Sequence, residues 1–340
     1  MKTLLIGGTG LISTGIIKQL RARGETNITI FNRAKTENRL AAPVTQITGD
    51  RDDFASFENR FAAMYHEGER FDVVIDMICY TPAQAQSDIR AFAGKCKHFI
   101  FCSTVCTYGS KIPNQVAIVE TFPQEPISEY GKNKLECEKV FLDAFAKGDL
   151  NTTIIRPSST YGPGGRMIDN LEFNPPTWDR IEKGLPVLCS GDGLALWVST
   201  HRDDVGKLFA HACLNRKTFG QSYNASRDRN FTWRDFYREA AQALGKPVDV
   251  LFMPAAWIIK HEPKRFNFLR EISQFHGAYS SEKAKRDVPQ FVCEIDFSQG
   301  AKETLADIKR RGAWRDSSGD ELYNSMVKKA LDAGVEPIRL

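Results

Sequence analysis

The sequence predicts a doubly wound α/β fold, in which helices cover both faces of a parallel sheet. Short apolar runs of a strand's length alternate with longer amphipathic segments through the first half of the 340 residues. These runs are rich in Ile, Val, Phe and Thr at successive positions, as strands buried on both faces are. A glycine-rich turn, GGTGLIS at 7–13, separates the first run from the first amphipathic segment. A glycine turn in that place is typical of this fold class.

The individual elements follow from this alternation. Strands are predicted at 3–8, 27–32, 44–48, 72–78, 98–103 and 152–157. Helices are predicted at 11–23, 53–66, 82–94, 128–147, 177–184, 202–214, 232–244 and 298–311. Strands that alternate with helices favour parallel pairing. In the segment FTWRD, Thr232 is the expected N-cap of its helix, with Asp235 three residues later.

The regular alternation ends near residue 160, where the loops YGPGGR and FNPPTW are rich in Gly and Pro. We therefore expect a first domain over 1–160 and a smaller, mixed α/β lobe over 161–340. Some strands and helices of the second part are expected to return to the first domain. The smaller C-terminal lobe is expected to bind the substrate.

Composition excludes several classes of partner. The net charge is +4, and acidic and basic residues are interleaved without a basic stripe, so we expect no nucleic-acid partner. The eight cysteines form no C-x-x-C pair and no Cys/His zinc spacing, which predicts reduced thiols and no metal site. The apolar stretch in MKTLLIGG is too short for a signal peptide, and no segment is long enough to span a membrane. These features predict a cytoplasmic protein.

The glycine-rich turn is expected to hold the pyrophosphate of a dinucleotide in a Rossmann-type domain. Gly7 and Gly10 allow the tight turn and the approach of backbone N–H groups to a phosphate at the positive end of the helix. Ser13 takes the third glycine position and is small enough for close packing of the helix on the strand. Leu11 and Ile12, in the first helical turn, complete the predicted contacts. The alternative is a tight turn without a ligand.

The end of the second strand, in the segment FNRAK, bears on which dinucleotide binds. A carboxylate at this place usually binds the adenosine ribose of NAD, but here Asn32 is followed by Arg33. The amide can bond to the ribose and the cation can accept a 2′-phosphate, so the cofactor is expected to be NAD or NADP, with a slight preference for NADP. Asp50 is expected to accept a hydrogen bond from adenine, with an ordinary turn role as the alternative. Arg51 and Ile78 are predicted as further cofactor contacts.

The segment EYGKNKLECEK suggests a source of acid–base chemistry. Tyr130 and Lys134 are four residues apart, so both side chains lie on one face of the predicted helix. An ammonium near a phenol stabilises the phenolate, and a positive nicotinamide ring adds to this effect. A phenol with an ordinary pKa of about 10 then becomes a usable proton acceptor near neutrality. The alternative is an exposed helix start where the two residues are neighbours by chance.

Taken together, these motifs resemble the extended short-chain dehydrogenase/reductase family, which includes NAD-dependent sugar epimerases and dehydratases. The matching segments are GGTGLIS, GD at 49–50, STVCTYG at 103–109, YGKNK, and RPSSTYGPG at 156–164. THRDDV at 200–205 resembles the family's His-x-x-Asp segment, and SSEKAKRDV at 280–288 resembles its late Ser-Lys-Ala element. The segments occur in the family's order over nearly the whole chain.

The resemblance implies a catalytic set. Tyr130 is the implied acid/base, and Lys134 is implied to lower its pKa and to bind the nicotinamide ribose. Thr104 is implied to hydrogen-bond the reacting oxygen. The implied reaction moves a hydride between a secondary alcohol carbon and the nicotinamide while Tyr130 moves the hydroxyl proton. A homodimer formed through helices that include the one with Tyr130 is also implied.

The implied substrate cleft departs from the family in one respect. The segment from Arg156 and Pro157 through Tyr161 is implied to line the nicotinamide and substrate cleft. Sugar-nucleotide enzymes of the family carry an arginine for the diphosphate shortly before the His-x-x-Asp segment, where this chain has Trp197. Loss of that charge-assisted contact weakens nucleotide-sugar binding, so a free or differently activated sugar is also expected. Trp197 stacks on a sugar ring or belongs to the core. The candidate replacements for the arginine are Arg166, Arg180 and Arg202.

Cys106 lies where the family varies its chemistry. In the family's 4,6-dehydratases the two residues after the active-site threonine are Asp and Glu, whereas here they are Val105 and Cys106. Elimination of water by that route is therefore not expected. In relatives that invert a carbon beside a keto group, a cysteine at the second position moves the carbon-bound proton. The favoured alternative is a small buried thiol that fills space.

These observations predict an NAD(P)-dependent epimerase or oxidoreductase that acts on a secondary alcohol of a sugar, a sugar derivative or a nucleotide sugar. The alternative enzyme is a simple NADP(H)-dependent dehydrogenase or reductase that exchanges its cofactor. A non-enzymatic protein that binds RNA or senses a dinucleotide is disfavoured. Such regulators often lack the tyrosine and lysine that this chain keeps, and RNA binding calls for a basic stripe.

Overall fold

The computed structural model describes residues 1–35, 40, 43–110 and 117–340. Its strands, in chain order, are β1 (Thr3–Ile6), β2 (Ile28–Asn32), β3 (Thr45–Thr48), β4 (Phe71–Asp76), β5 (Cys96–Cys102), β6 (Thr152–Pro157), β7 (Ser159–Tyr161), β8 (Val187–Ser190), β9 (Leu196–Trp197), β10 (Ser199–His201), β11 (Gln221–Ala225), β12 (Phe231–Thr232), β13 (Asp249–Met253) and β14 (Ile338–Arg339). Every strand predicted from the sequence is present, with ends that agree to within about two residues.

Within the described residues, the central sheet has seven strands in the order β11-β6-β5-β4-β1-β2-β3. All neighbours pair in parallel. The direction in which successive strands are added reverses between β1 and β4, and such a switch point is where doubly wound folds bind ligands, at the carboxyl ends of the strands. The predicted Rossmann-type fold is confirmed.

Two strands differ from the sequence expectation. β3 was expected to be apolar and buried on both faces, but it is an edge strand and its residues are mostly exposed. β11 was not predicted, because QSYNA is short and largely polar. It pairs along β6 and is largely buried. Residues beyond 160 therefore complete the central sheet, whereas the division of the chain at residue 160 stays a prediction.

The helices are α1 (Leu11–Ala22), α2 (Phe54–His66), α3 (Pro82–Phe92), α4 (Glu129–Ala146), α5 (Thr177–Glu182), α6 (Arg202–Ala212), α7 (Trp233–Ala243), α8 (Ala255–His261), α9 (Glu282–Asp287), α10 (Phe297–Arg310) and α11 (Glu321–Asp332). The helices predicted from the sequence are all present, and α8, α9 and α11 are additional. The predicted cap of α7 is confirmed: Thr232 Oγ1 accepts from Asp235 N at 3.1 Å, and Asp235 Oδ2 accepts from Thr232 N at 3.1 Å.

Helices cover both faces of the central sheet. On one face α1 and α6 bury residues such as Ile16 and Leu208 in a core that also includes α9. On the other face α2, α3 and α4 contribute Phe57, Phe92 and Phe141. The later part of the chain adds a sheet in the order β14-β13-β8 and further cores around α7, α10 and α11. Among the described residues, no helix has the length and apolar character needed to cross a membrane.

Candidate active site

The glycine-rich turn has a backbone that only glycine adopts without strain. Gly7 has a φ of +85°, and a Cβ on it would lie 2.5 Å from Ile78 Cγ2. Ser13 Oγ donates to the carbonyl oxygen of Gly7 at 2.8 Å, so the departure from a third glycine ties the first turn of α1 to the loop. No acidic side chain occupies the first turn of α1. The positive helix end therefore remains available to an anionic group such as a pyrophosphate.

A groove of about 330 Å³ at the ends of β2 and β3 lies where an adenosine would bind, and Gly7, Gly10, Asn32, Arg33, Asp50 and Ile78 line it. Asn32 Oδ1 accepts from Ala34 N at 2.8 Å, and Asp50 Oδ1 accepts from Asp52 N at 3.1 Å. Both side chains thus support their own turns, and each keeps further hydrogen-bonding capacity. Arg33 is exposed at the rim.

Arg51 also lines this groove, but its guanidinium points into the protein. The side chain is almost wholly buried, pairs with Asp76 and with Asp88 at 3.1 Å, and donates to the carbonyl oxygen of Gln84 at 2.8 Å. Burial, followed by the charge of Asp76, raises the pKa of Asp88. The cofactor contact of Arg51 stays a prediction for the part of the residue that lines the groove. Its guanidinium is instead held by the two buried carboxyl groups and links them to the loop between β3 and α2.

The nicotinamide end of the cleft brings together residues of β5, α4 and β6. Leu11, Ile12, Ile78, Thr104, Tyr130, Lys134 and Pro157 line a space of about 330 Å³. The buried Lys134 Nζ donates to the carbonyl oxygen of Cys102 at 2.7 Å and lies 5.9 Å from the centre of the Tyr130 ring. The four-residue spacing therefore places both side chains in one cleft, as expected from the sequence.

The start of α4 sets the position of Tyr130. Ser128 caps the helix, with its Oγ accepting from Gly131 N at 3.0 Å. A Cβ on Gly131 would lie 2.6 Å from the carbonyl oxygen of Cys106. The absence of a side chain at this position therefore lets the helix start pack directly on the turn Val105–Tyr108, which follows Thr104. This packing puts the phenol near the hydroxyl of Thr104.

The protein groups alone do not produce the expected lowering of the pKa of Tyr130. Burial of the hydroxyl raises this pKa, and the Cys102 and Cys106 thiols add to the rise, whereas the Thr104 hydroxyl acts in the opposite direction. The ring itself remains 44% exposed in the open cleft. A positive group that enters the cleft would act against this rise and favour the phenolate.

Beyond Tyr130 the cleft widens into a cavity of about 620 Å³, to which Thr104, Cys106, Arg166 and Trp197 contribute. Cys106 lies at the reactive end, close enough to affect the pKa of Tyr130. Burial raises the pKa of the Cys106 thiol, with Thr104 acting in the opposite direction. A raised thiol pKa favours the neutral form, which does not accept protons, and thus favours the space-filling interpretation.

Two side chains implied for the cleft lie elsewhere. Tyr161 is 4% exposed and packs in the C-terminal core, 5.2 Å from Phe297 and 5.4 Å from His201 between ring centres. Arg156 makes a buried two-pronged pair with Glu138, at 2.9 and 2.6 Å, and so ties β6 to α4. The substrate contact expected of Tyr161 is thus corrected, because these core rings enclose its side chain.

Trp197 belongs to the core and also forms part of the cavity wall. Its ring stacks on Trp233 with centres 4.7 Å apart, and its Nε1 donates to Ser199 Oγ at 3.2 Å. Of the three arginines considered as replacements for a diphosphate contact, only Arg166 lines the cavity among the described residues. Arg180 donates to Asn324 Oδ1 at 2.5 Å, and Arg202 donates to Thr14 Oγ1 at 3.0 Å.

Several cavity residues were not anticipated from the sequence. Tyr80 follows β4 at the nicotinamide end, and the others come from loops and from the short helical segment around Leu269–Ser273: Ile127, Phe173, Phe268, Ile272, Phe275 and Tyr279. Phe173 stands in the Gly/Pro-rich stretch FNPPTW, where an aromatic residue outside any amphipathic pattern was the one available signal. Phe268, Ile272 and Phe275 have the i, i+4, i+7 spacing of a helix face, which was a local signal that the sequence-based predictions did not use. Ile127 and Tyr279 are too far along the chain from the other wall residues for a local pattern to connect them.

Comparison with known proteins gives the family. The model of the NAD dependent epimerase/dehydratase family matches residues 3–226. The chain is 25% identical to 2'-dehydrokanamycin reductase of Streptomyces kanamyceticus over 86% of this chain and 80% of that protein. It is 27% identical to a UDP-glucose 4-epimerase of Lacticaseibacillus casei, but over only 41% of this chain and 46% of that one. A UDP-glucuronic acid 4-epimerase from Bacillus cereus, solved with UDP-glucuronic acid and NAD, has a TM-score of 0.70 at 19% identity and covers 92% of this chain and 100% of its own.

The family match spans the central sheet and every element that lines the nicotinamide end of the cleft. The matched residues include the glycine turn, Tyr130 and Lys134, and the strands on either side of the switch point between β1 and β4. The chain belongs to the NAD-dependent epimerase/dehydratase family and is an enzyme of the extended short-chain dehydrogenase/reductase type.

Proposed function

We propose that this enzyme transfers a hydride between NAD(P) and the carbon of a secondary alcohol, with Tyr130 as the acid/base. One observation carries the proposal: Thr104, Tyr130 and Lys134 line a single cleft that continues into the glycine-rich turn. A proton-transfer group, a hydroxyl that orients the substrate and a buried cation thus lie beside the expected dinucleotide site.

Each residue of the cleft has its own role in the proposed reaction. Bound NAD(P) supplies the hydride acceptor in oxidation and the hydride donor in reduction. Thr104 orients the substrate oxygen, and Tyr130 Oη takes the hydroxyl proton in oxidation or returns it in reduction. Lys134 adds a fixed positive charge within 5.9 Å of the phenol ring and favours its ionised form.

Two outcomes of the same chemistry remain open to this site. An epimerase would oxidise the alcohol and re-reduce the ketone from the opposite face, whereas a reductase would release oxidised cofactor after each turnover. The reductase relative, which matches over most of this chain, favours net reduction, and the epimerase relative favours epimerisation. The names of both relatives support a sugar or sugar derivative as substrate. Following cofactor absorbance during turnover separates the two outcomes.

The adenosine groove supports NADP as the preferred cofactor. Arg33 and Lys35 are exposed at its rim, where a 2′-phosphate would lie, and among the described residues that follow β2 directly, 33–35, there is no carboxylate. The side-chain oxygen of Asn32 accepts from Ala34 N, and its NH₂ group is a donor of the kind that a phosphate oxygen accepts from.

The proposal is tested with Tyr130→Phe in the NAD(P)-loaded enzyme, against Tyr65→Phe as a control. Tyr65 lies in α2 and does not line the cleft. Tyr130→Phe is expected to reduce turnover by at least about a hundredfold while the cofactor still binds, and Tyr65→Phe should leave turnover unchanged. Near-normal turnover in Tyr130→Phe would remove Tyr130 from the mechanism.

A further inference from the structure

The cavity beyond Tyr130 has walls that are mostly hydrocarbon. Its volume of about 620 Å³ is in the range of pockets that enclose a small organic ligand. Thr104 and Tyr130 supply hydroxyl groups at the reactive end, and the polar side chains of Arg166, Glu271, His276 and Arg311 also line the cavity. Most of the remaining lining is apolar and comes from separate segments of the chain: Ile127, Ile168, Phe173, Trp197, Phe268 and Phe275.

Two of the apolar wall residues are more exposed to solvent than large apolar side chains usually are. Phe173 is 54% exposed and Ile127 is 42% exposed, although large apolar side chains are usually buried. The Phe173 ring lies against Phe268, with centres 4.4 Å apart, so the two rings form one apolar surface. Exposed apolar groups gathered around a single cavity are typical of a binding surface.

Trp197 presents hydrocarbon and no hydrogen-bond donor to the cavity. Its indole N–H is taken by Ser199 Oγ at 3.2 Å, and stacking on Trp233 fixes the ring. The remaining edge of the indole forms part of the wall. A sugar hydroxyl or phosphate facing this wall would lose water without gaining a partner, which is unfavourable.

Most of the charged groups at the cavity are already neutralised. Arg311 Nε donates to Asp307 Oδ2 at 2.6 Å, and Glu271 pairs with Arg270 at 3.1 Å. Within the part of the chain that the structure describes, the remaining lining cation is Arg166, which is exposed. A sugar diphosphate carries two negative charges and is usually held by several charge-assisted hydrogen bonds. The side chains that the structure describes around this cavity do not offer such a set.

From these contacts we propose that the substrate carries its alcohol or ketone on a largely apolar ring framework and is not a nucleotide-diphosphate sugar. The inference rests on the proposed function, because it assumes that the reacting oxygen lies at Thr104 and Tyr130. The framework then extends along Trp197 toward Phe173 and Ile127. An aromatic or fused-ring portion of the substrate suits these walls, since stacking and burial of apolar area stabilise it there.

The experiment measures binding without turnover, in the NADP-loaded Tyr130→Phe enzyme by isothermal titration calorimetry. The apolar probes are the cyclic secondary alcohols androsterone, 2-tetralol and menthol, and the polar probe is UDP-glucose. The variants Phe173→Ala and Ile127→Ala are compared with Leu331→Ala. Leu331 is 43% exposed on α11 and does not line the cavity, so it serves as the matched control.

At least one apolar alcohol is expected to bind tenfold or more tightly than UDP-glucose. Phe173→Ala and Ile127→Ala should each weaken that binding by about tenfold, a typical effect of truncating an apolar anchor, and Leu331→Ala should not change it. Tighter binding of UDP-glucose, failure of all three alcohols to bind, or equal effects of the three variants would overturn the inference. Because no turnover is required, each of these results is separate from the activity test of Tyr130.

Discussion

The Lys134 ammonium donates to the carbonyl oxygen of Cys102 at 2.7 Å, across the space between α4 and the end of β5. The side chain is fully buried and also lies 4.7 Å from the centre of the Tyr80 ring and 4.8 Å from that of Phe101. Burying an ammonium with a single carbonyl acceptor costs free energy, which the surrounding ring faces offset in part. The position of this charge in the cleft supports a catalytic role.

Lys134→Met should reduce turnover by about a hundredfold or more, because the ionised form of Tyr130 loses its nearest cation. The measurement is kcat at saturating cofactor and substrate. Lys139→Met is the matched control, since Lys139 is exposed on the same helix and pairs with Glu136 at 2.7 Å. Equal losses in the two variants would indicate general damage to α4 rather than a role for Lys134.

The rate of alcohol oxidation should rise with pH between about 7 and 10, because oxidation needs the phenolate of Tyr130 and the protein raises its pKa. Reduction needs the phenol, so its rate should be flat or fall over the same range. The measurement is kcat/KM in both directions as a function of pH. A flat oxidation profile would show that another group accepts the proton.

Arg33→Ala should weaken NADP binding by about tenfold and leave NAD binding nearly unchanged, because only NADP offers a 2′-phosphate to this cation. Calorimetric titration with each cofactor measures the effect. Arg70→Ala, which removes an exposed arginine outside the groove, provides the control. If both cofactors lose affinity equally, Arg33 does not select between them.

Cys106→Ala should retain turnover within a few-fold of the unsubstituted enzyme, because burial keeps the thiol in its neutral form. No solvent deuterium should enter a carbon–hydrogen bond of the recovered substrate. A loss of a hundredfold together with deuterium incorporation in the unsubstituted enzyme would instead assign Cys106 the transfer of a carbon-bound proton.

Stability should fall as the pH drops below 6.5, because burial lowers the pKa of His98 to about 3 in the folded protein, from an ordinary value of 6.5. Its Nδ1 accepts a hydrogen bond from Leu214 N at 3.1 Å, and its Nε2 bonds to Thr153 Oγ1 at 2.8 Å. Protonation of Nδ1 would remove the acceptor of the Leu214 hydrogen bond. The unfolded chain binds this proton first, which costs roughly 2 kcal/mol by pH 5.

Denaturant titrations at pH 7 and pH 5 measure this change in the free energy of unfolding. His98→Gln should lose the part of the pH dependence that comes from His98, even if it is less stable overall. His66→Gln should keep it, because His66 is exposed at the end of α2. The same pH dependence in His98→Gln and the unsubstituted protein would place the titrating group elsewhere.

Local patterns in the sequence predicted much of the fold and the reactive end of the site. Continuous apolar runs and period-3.6 patterns depend on near neighbours, so the strands through β6 and the helices that cover them could be found from the chain alone. The spacing of Tyr130 and Lys134 is also a local pattern, because one helical turn places both side chains in the same cleft. Polar β11 lacked such a pattern, and burial by its neighbours made it a strand.

The sequence by itself determined the fold class, the glycine turn and the pairing of Tyr130 with Lys134, since each depends on residues close together in the chain. Tertiary packing decided which way other side chains point: Tyr161 turns into the core and Arg156 pairs with Glu138. It also assembled the apolar cavity wall from segments far apart in the chain. The direction in which these side chains point depends on packing and ion pairing with residues distant in the sequence, so no short segment predicts it.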